Sequence, residues 1–136
     1  MDVKIVGIDA DNVGRPRNDG TQGSALYLVP LKLSARPSAL WVQVFPQVWD
    51  RPPQWTSMHR PGIGRVVGDQ IVLDGTTIEE VRDVHLQTLK LVVAEVNRRV
   101  AESEAWREAE RAREEADAKS HEENVRRLVS EIKFDE

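Results

Sequence analysis

The last 61 residues, 76–136, contain neither glycine nor proline. These two residue types are the strongest breakers of an α-helix, so their absence over this length permits one very long helix. Thr77 and Glu80 form a capping box at its start, in which the threonine hydroxyl accepts from the Glu80 amide and the glutamate reaches back. The segment therefore predicts a long charged helix, with a possible break near 118–120 because Ser120 and Glu123 repeat the capping pattern.

The two halves of this helix differ in their apolar pattern. Up to Val100 one row recurs every three or four positions, which is typical of a helix that lies on a sheet; it comprises Ile78, Val81, His85, Thr88 or Leu89, Val92, Val96 and Val100. His85 is expected to be a hydrogen-bonded core histidine. From residue 101 the row thins to alanine among Glu and Arg, which predicts either a solvated rod or a close antiparallel seam with a second helix, but not a leucine-type coiled coil.

Large apolar residues return near the end of the chain, at Val125, Leu128, Val129 and Ile132. A helix over 77–132 is ~84 Å long at 1.5 Å per residue, whereas a body of about 75 residues has a radius of gyration near ~11 Å. The helix is therefore expected to extend beyond the body. An exposed apolar row without a partner is a liability, so these four residues are the predicted interface. Residues 101–132 are expected to self-associate or bind a protein partner, and the alternative is that the chain folds back on itself at 118–120.

Residues 1–75 are predicted to form a β-rich body. Runs of apolar and β-branched residues predict strands at 3–8, 25–34 and 39–45, and a hairpin at 64–74 that turns at Gly68-Asp69. Pro30 cannot donate to a sheet, so the second strand is expected to be an edge strand, a bulged strand or two short strands. The expected fold class is α+β, with four to six short, mainly antiparallel strands in residues 3–74 forming a curved sheet or partly open barrel. This sheet packs against the C-terminal helix of residues 76–136.

Residues 40–65 hold four of the seven aromatic residues and four of the seven prolines in the chain. The part from 46 to 63 lacks any sustained period, and it predicts a long loop that is fixed by its prolines and anchored by its tryptophans. One interpretation is structural, with tryptophans covering the open end of a small sheet. The other is recognition, for which the candidate binding residues are Trp49, Arg51, Trp55, His59, Arg60 and Arg65.

Recognition of another protein is the favoured function of this loop, because exposed tryptophan and arginine are enriched at binding hot spots. The alternative is single-stranded nucleic acid, with Trp49 and Trp55 stacking on bases and the three arginines binding phosphates. The net charge of +3 over residues 36–65 is small for such a groove, and the acidic helix would repel a polyanion.

A third function, a small hydrolase-type enzyme, centres on His59. It requires His59 to meet Asp50 and either Asp74 or Asp83 in one cleft, and nothing in their spacing imposes this. No nucleotide-binding, nucleophile-elbow or zinc-protease motif is present. No catalytic residue, metal site or cofactor is therefore predicted.

Composition narrows the class of protein further. The net charge is −4, with +1 in residues 1–75 and −5 in residues 76–136, which argues against a protein that simply coats nucleic acid. The absence of cysteine excludes disulfides and thiolate chemistry. No apolar run has the length of a membrane span, and the N-terminus lacks a signal-peptide pattern, so a cytoplasmic protein is expected. The sequence predicts a non-enzymatic interaction or assembly module, a small subunit of a larger complex.

Overall fold

The structure, a computed structural model, describes residues 2–135. Four strands form one open antiparallel sheet in the order β1-β2-β4-β3, where β1 is Ile5–Ile8, β2 is Tyr27–Leu33, β3 is Gly64–Val67 and β4 is Gln70–Thr76. A short 3-10 turn, Ala10–Asn12, follows β1. With the long C-terminal helix, this confirms the α+β prediction in its open-sheet form.

Two helices complete the fold. Helix α1 is Ala39–Asp50, and helix α2 begins with Ile78–Glu80, passes through a π-helical turn at Val81–His85 and continues as Leu86–Glu131. The possible break near 118–120 was wrong, because nothing in that segment interrupts the helical backbone and Ser120 lies within one continuous helix. The described residues fall into two compact units, one up to Val100 and one from Ala101.

The strand predicted at 39–45 is wrong, because this segment is the first turns of α1. Trp41, Phe45, Val48 and Trp49 are all buried, and their spacing of four, three and one residues is that of one helix face. Residues 39–45 taken alone also fit the alternation of a strand. The helical period becomes visible only when Val48 and Trp49, which follow Pro46, are included. Ser38 caps the helix by accepting from the Trp41 amide, and the chain leaves it at Arg51, just before Pro52 and Pro53.

The hairpin and the second strand show how the sheet handles its special residues. The turn at Gly68-Asp69 is confirmed, and Gly68 has the positive φ of 60° that a primed turn requires. Strand β2 is a single interior strand, so of the three alternatives for Pro30 the edge strand and the two short strands were wrong. The pairing of β2 is irregular, with a register shift against β1 and another against β4. In an antiparallel sheet the N–H and the carbonyl of one residue point to the same neighbouring strand. The Pro30 carbonyl accepts from the Asp9 amide, beyond the end of β1, so the missing N–H of Pro30 also faces this position and no hydrogen bond within a strand pair is lost.

One side of the sheet faces a core shared by both helices. Strands β2 and β4 contribute Val29, Leu31, Leu33, Ile71 and Leu73, while α2 contributes Val81, Leu89, Val92, Val93, Val96 and Val100. Asn97 of α2 joins this helix to α1 and to the segment before β1. Its Oδ1 accepts from the Val3 amide at 3.1 Å and from Trp41 Nε1 at 2.8 Å, and its Nδ2 donates to the Val3 carbonyl. The predicted apolar row of α2 is therefore the face that packs on the core.

Candidate functional site

The predicted loop of residues 46–63 is wrong for residues 46–50, which belong to helix α1. Residues 51–63, called here the tryptophan–proline loop, are ordered around Trp49, near the end of α1. The Trp49 ring is fully buried, and its Nε1 donates to the Arg60 carbonyl at 2.9 Å. The His59 ring lies 4.4 Å from it, and His59 Nε2 donates to the Trp49 carbonyl at 2.7 Å. Asp50 also accepts from the Gly62 amide at 2.7 Å. The loop is therefore fixed to the end of α1 at three points.

An ion pair joins the same loop to the start of α2. Arg60 donates to both carboxylate oxygens of Glu80, at 3.0 and 2.7 Å, and the buried Thr76 hydroxyl donates to Glu80 Oε1 at 2.8 Å. The Arg60 guanidinium lowers the pKa of the Glu80 carboxyl, and the same hydrogen bonds raise the pKa of Arg60. Only one of the two hydrogen bonds of the expected capping box forms. The Thr77 hydroxyl accepts from the Glu80 amide, but the Glu80 carboxylate accepts from Arg60 and Thr76.

His85 completes the cluster from the π-helical turn of α2. The side chain is fully buried, with its ring 5.6 Å from that of Trp49 and 6.4 Å from that of His59. Its burial is as predicted, but its hydrogen bonding is not, because neither ring nitrogen has a hydrogen-bond partner among the described residues. Burial lowers the pKa of His85, and the Glu80 carboxylate, 3.7 Å from Nε2, opposes that shift in part.

The low pKa of His85 predicts a pH-dependent stability. In the unfolded chain the imidazole takes up a proton below about pH 6.5, whereas in the fold it resists protonation, so stability falls as the pH drops below that value. Glu80, Arg60 and His59 are the charged and titratable groups around it. We expect the midpoint of urea unfolding, followed by tryptophan fluorescence, to fall between pH 7.5 and 5.5 in the wild type and to change less in His85→Leu. Parallel curves for the two proteins would contradict this assignment.

The six predicted binding residues have different surroundings. Trp49 is enclosed and is not presented to a ligand, whereas Arg60 is paired with Glu80 and its side chain is 36% exposed. The proposed stacking of bases on Trp49 is thus wrong, because the ring has no open face. Trp55 is 58% exposed. Its ring is nearly perpendicular to the His59 ring, with the two ring centroids 5.3 Å apart. Arg51 is exposed, and Arg65 is exposed beside Asp74 at 3.5 Å.

The exposed part of the loop includes one large apolar residue that is not among the predicted binding residues. Met58 is 48% exposed and lies three residues after Trp55 in the same loop. Its chemistry, a flexible apolar side chain, suits an adaptable contact. Glu80 was also missed, since the capping pattern assigned its carboxylate to the helix start. No local sequence pattern links Arg60 to Glu80, because the two residues are 20 positions apart.

The residues of the hydrolase hypothesis have separate partners. Asp50 accepts from the Gly62 amide, Asp74 is paired with Arg65, and Asp83 is paired with Arg82. The Nε2 atom of His59 is engaged by the Trp49 carbonyl. Among residues 2–135 no group of three or more His, Cys, Asp or Glu side chains is arranged to hold a metal ion. Each of these three aspartates therefore has a partner other than His59, and His59 Nε2 is bound to a backbone carbonyl.

The second candidate surface lies in the unit from Ala101. No side chain of residues 101–135 is buried, yet Val125, Leu128, Val129 and Ile132 are 42–61% exposed. We call these four residues the terminal apolar face, because their spacing of three, one and three residues is that of one helix side. The first three lie on α2, and Ile132 directly follows its last residue, Glu131. Phe134 and Trp106 are also exposed in this unit. The placement of the predicted interface residues at the surface is thus what an interface requires.

Comparisons with known proteins supply no assignment for either surface. None of the helices in the described part of the chain has the length and apolarity needed to cross a membrane. No protein-family model, no curated protein and no solved structure matches this chain.

Proposed function

We propose that the protein is a non-enzymatic interaction and assembly module, a small subunit of a larger complex. The observation that carries this proposal is the terminal apolar face, exposed on a helix that buries none of its side chains from residue 101 onward. Apolar side chains at i, i+3, i+4 and i+7 are the anchors by which an amphipathic helix docks onto another apolar surface. Exposure of these side chains to water is unfavourable, so burying them against a partner makes the free energy of association more favourable.

The tryptophan–proline loop serves in this proposal as the recognition surface of the body. Trp55 and Met58 are its exposed apolar side chains, and Arg51 is the neighbouring exposed cation. The contacts of Trp49 with Arg60 and His59 hold the loop in one conformation before any partner arrives. Such preorganisation reduces the entropy lost on binding. The loop and the helix thus divide the work, with the loop recognising and the helix assembling.

Co-purification from an extract of the native host tests this function. Two full chains with different tags are expressed together, so that both a second copy and other proteins are detected after cross-linking. We expect Leu128→Asp to lose proteins held by the helix, and Trp55→Ala to lose proteins held by the loop. Ser130→Asp introduces the same charge two residues from Leu128, on the opposite side of the helix, and is expected to retain them. Identical bound proteins in wild type, Leu128→Asp and Trp55→Ala would refute the proposal.

A further inference from the structure

We infer that the occupant of the terminal apolar face is a second copy of the same chain, in antiparallel orientation; this rests on the proposed assembly function. The four residues are arranged symmetrically about a point between Leu128 and Val129. An antiparallel copy centred there places Val125 against Ile132 of the copy, and Leu128 against Val129 of the copy. The same face is then used by both chains, as a two-fold interface requires.

Charge distribution selects the antiparallel orientation over the parallel one. Residues 102–117 carry seven acidic and three basic side chains, a net charge of −4. Parallel pairing would align these segments side by side, whereas antiparallel pairing around residue 128 directs them away from each other. It also brings Glu122, which precedes the apolar face and lies beside it on the helix, toward Lys133 of the copy, which follows that face. Opposite charges meet and the two acidic segments separate.

The alanine row does not compete for this contact. At 3.6 residues per turn, Ala105, Ala109, Ala112 and Ala116 lie on one side of the helix, and the terminal apolar face lies on the opposite side. A second straight helix cannot cover both rows at once. Pairing is therefore confined to the segment from residue 122 onward, in which the helical residues up to Glu131 span about 15 Å at 1.5 Å per residue. This small interface predicts a weak dimer, with a dissociation constant of about 1–100 μM.

Sedimentation velocity of the purified full chain, over about 5–500 μM, tests the pairing. We expect the mass to rise from 15.4 kDa toward twice that value with concentration. Leu128→Asp is expected to weaken dimerisation by roughly 10-fold or more, because it places a charge at the centre of the interface. Ser130→Asp, with the same charge on the opposite side, is expected to dimerise as the wild type does. A wild type that stays monomeric, or equal dimerisation of the two variants, would overturn the inference.

Disulfide trapping decides the orientation, because the chain has no cysteine of its own. A mixture of Val125→Cys and Ile132→Cys chains is expected to form the mixed disulfide under mild oxidation. Val125→Cys alone is expected not to cross-link, because in antiparallel pairing the two copies of residue 125 are offset by seven residues, about 10 Å, beyond disulfide reach. A rapid Val125→Cys homodimer without the mixed product would establish parallel pairing instead and overturn the proposal.

The two experiments separate this inference from the proposed function. A monomeric wild type whose bound host proteins are lost in Leu128→Asp leaves the assembly function intact and assigns the face to another protein. A monomeric wild type whose bound proteins are the same in Leu128→Asp and Trp55→Ala removes both. Concentration-dependent dimers that are disrupted by Leu128→Asp and trapped by the mixed disulfide support both.

Discussion

Replacing Trp49 with alanine is expected to lower the free energy of unfolding by about 3–5 kcal/mol, the range for deleting a buried large aromatic side chain. The ring is fully buried between α1, the tryptophan–proline loop and His85. Its loss also removes the hydrogen bond from Nε1 to the Arg60 carbonyl and leaves that carbonyl without its donor. Urea unfolding followed by circular dichroism measures the change. A loss below about 1 kcal/mol would show that the loop does not depend on this ring.

Trp55→Ala is the matched control, because it removes the same kind of side chain six residues further along the chain, at an exposed position. Trp55 is 58% exposed, so its replacement is expected to change stability by less than about 1 kcal/mol. The two tryptophans therefore separate the structural role of this region from its recognition role. If Trp55→Ala destabilised the fold as much as Trp49→Ala, both would be structural, and the loop would lose its assigned function.

Gly64→Ala is expected to destabilise the protein by about 1–3 kcal/mol through overpacking, although it adds only one methyl group. A Cβ at Gly64 would lie 2.8 Å from Trp49 Cγ and 3.2 Å from Phe45 Cε1. Neither ring has room to retreat, since both are fully buried and Trp49 is also held by its hydrogen bond to Arg60. Gly64 itself is fixed by pairing with Leu73 in the sheet. The glycine is thus required by the close approach of α1 to β3.

A double-mutant cycle with Trp49→Phe checks this reason. The smaller ring makes room at Gly64, so Gly64→Ala is expected to cost less in the Trp49→Phe background than in the wild type, and the two changes are expected to be non-additive. Gly68→Ala provides a comparison with a different cause. Its Cβ meets nothing within 4 Å, and its strain comes from the positive φ alone, so Trp49→Phe is expected not to relieve it. Additive effects at Gly64 and Trp49 would contradict the steric explanation.

These expected results bear on how the two candidate surfaces relate to the fold. Trp49, Arg60 and Glu80 support the loop, and Trp55 and Met58 are what it presents. In the unit from Ala101 the terminal apolar face is exposed and contributes no buried side chain. Substitutions at either presented surface should therefore change association without unfolding the protein, which makes the proposed function accessible to experiment.

The sequence by itself determined the elements that depend on neighbouring residues. The start of α2 at Thr77 followed from its cap, the hairpin turn from Gly68-Asp69, and the core-facing row up to Val100 from its helical spacing. The terminal apolar face was predicted on the same basis, and all four of its residues are at the surface. Each of these features is specified within a few positions along the chain, so local propensity and periodicity suffice to predict it.

Only the tertiary structure decided which of two local patterns residues 39–45 follow and what the loop side chains contact. Their alternation fits a strand, but burial of Trp41, Phe45 and Trp49 against the sheet selects a helix. In the structure the Glu80 carboxylate accepts from Arg60 instead of capping its own helix, and the Trp49 ring is fully buried. These outcomes depend on groups 11 to 20 residues apart meeting in space. Local periodicity carries no information about such meetings, because they are set by packing and by closure of the intervening chain.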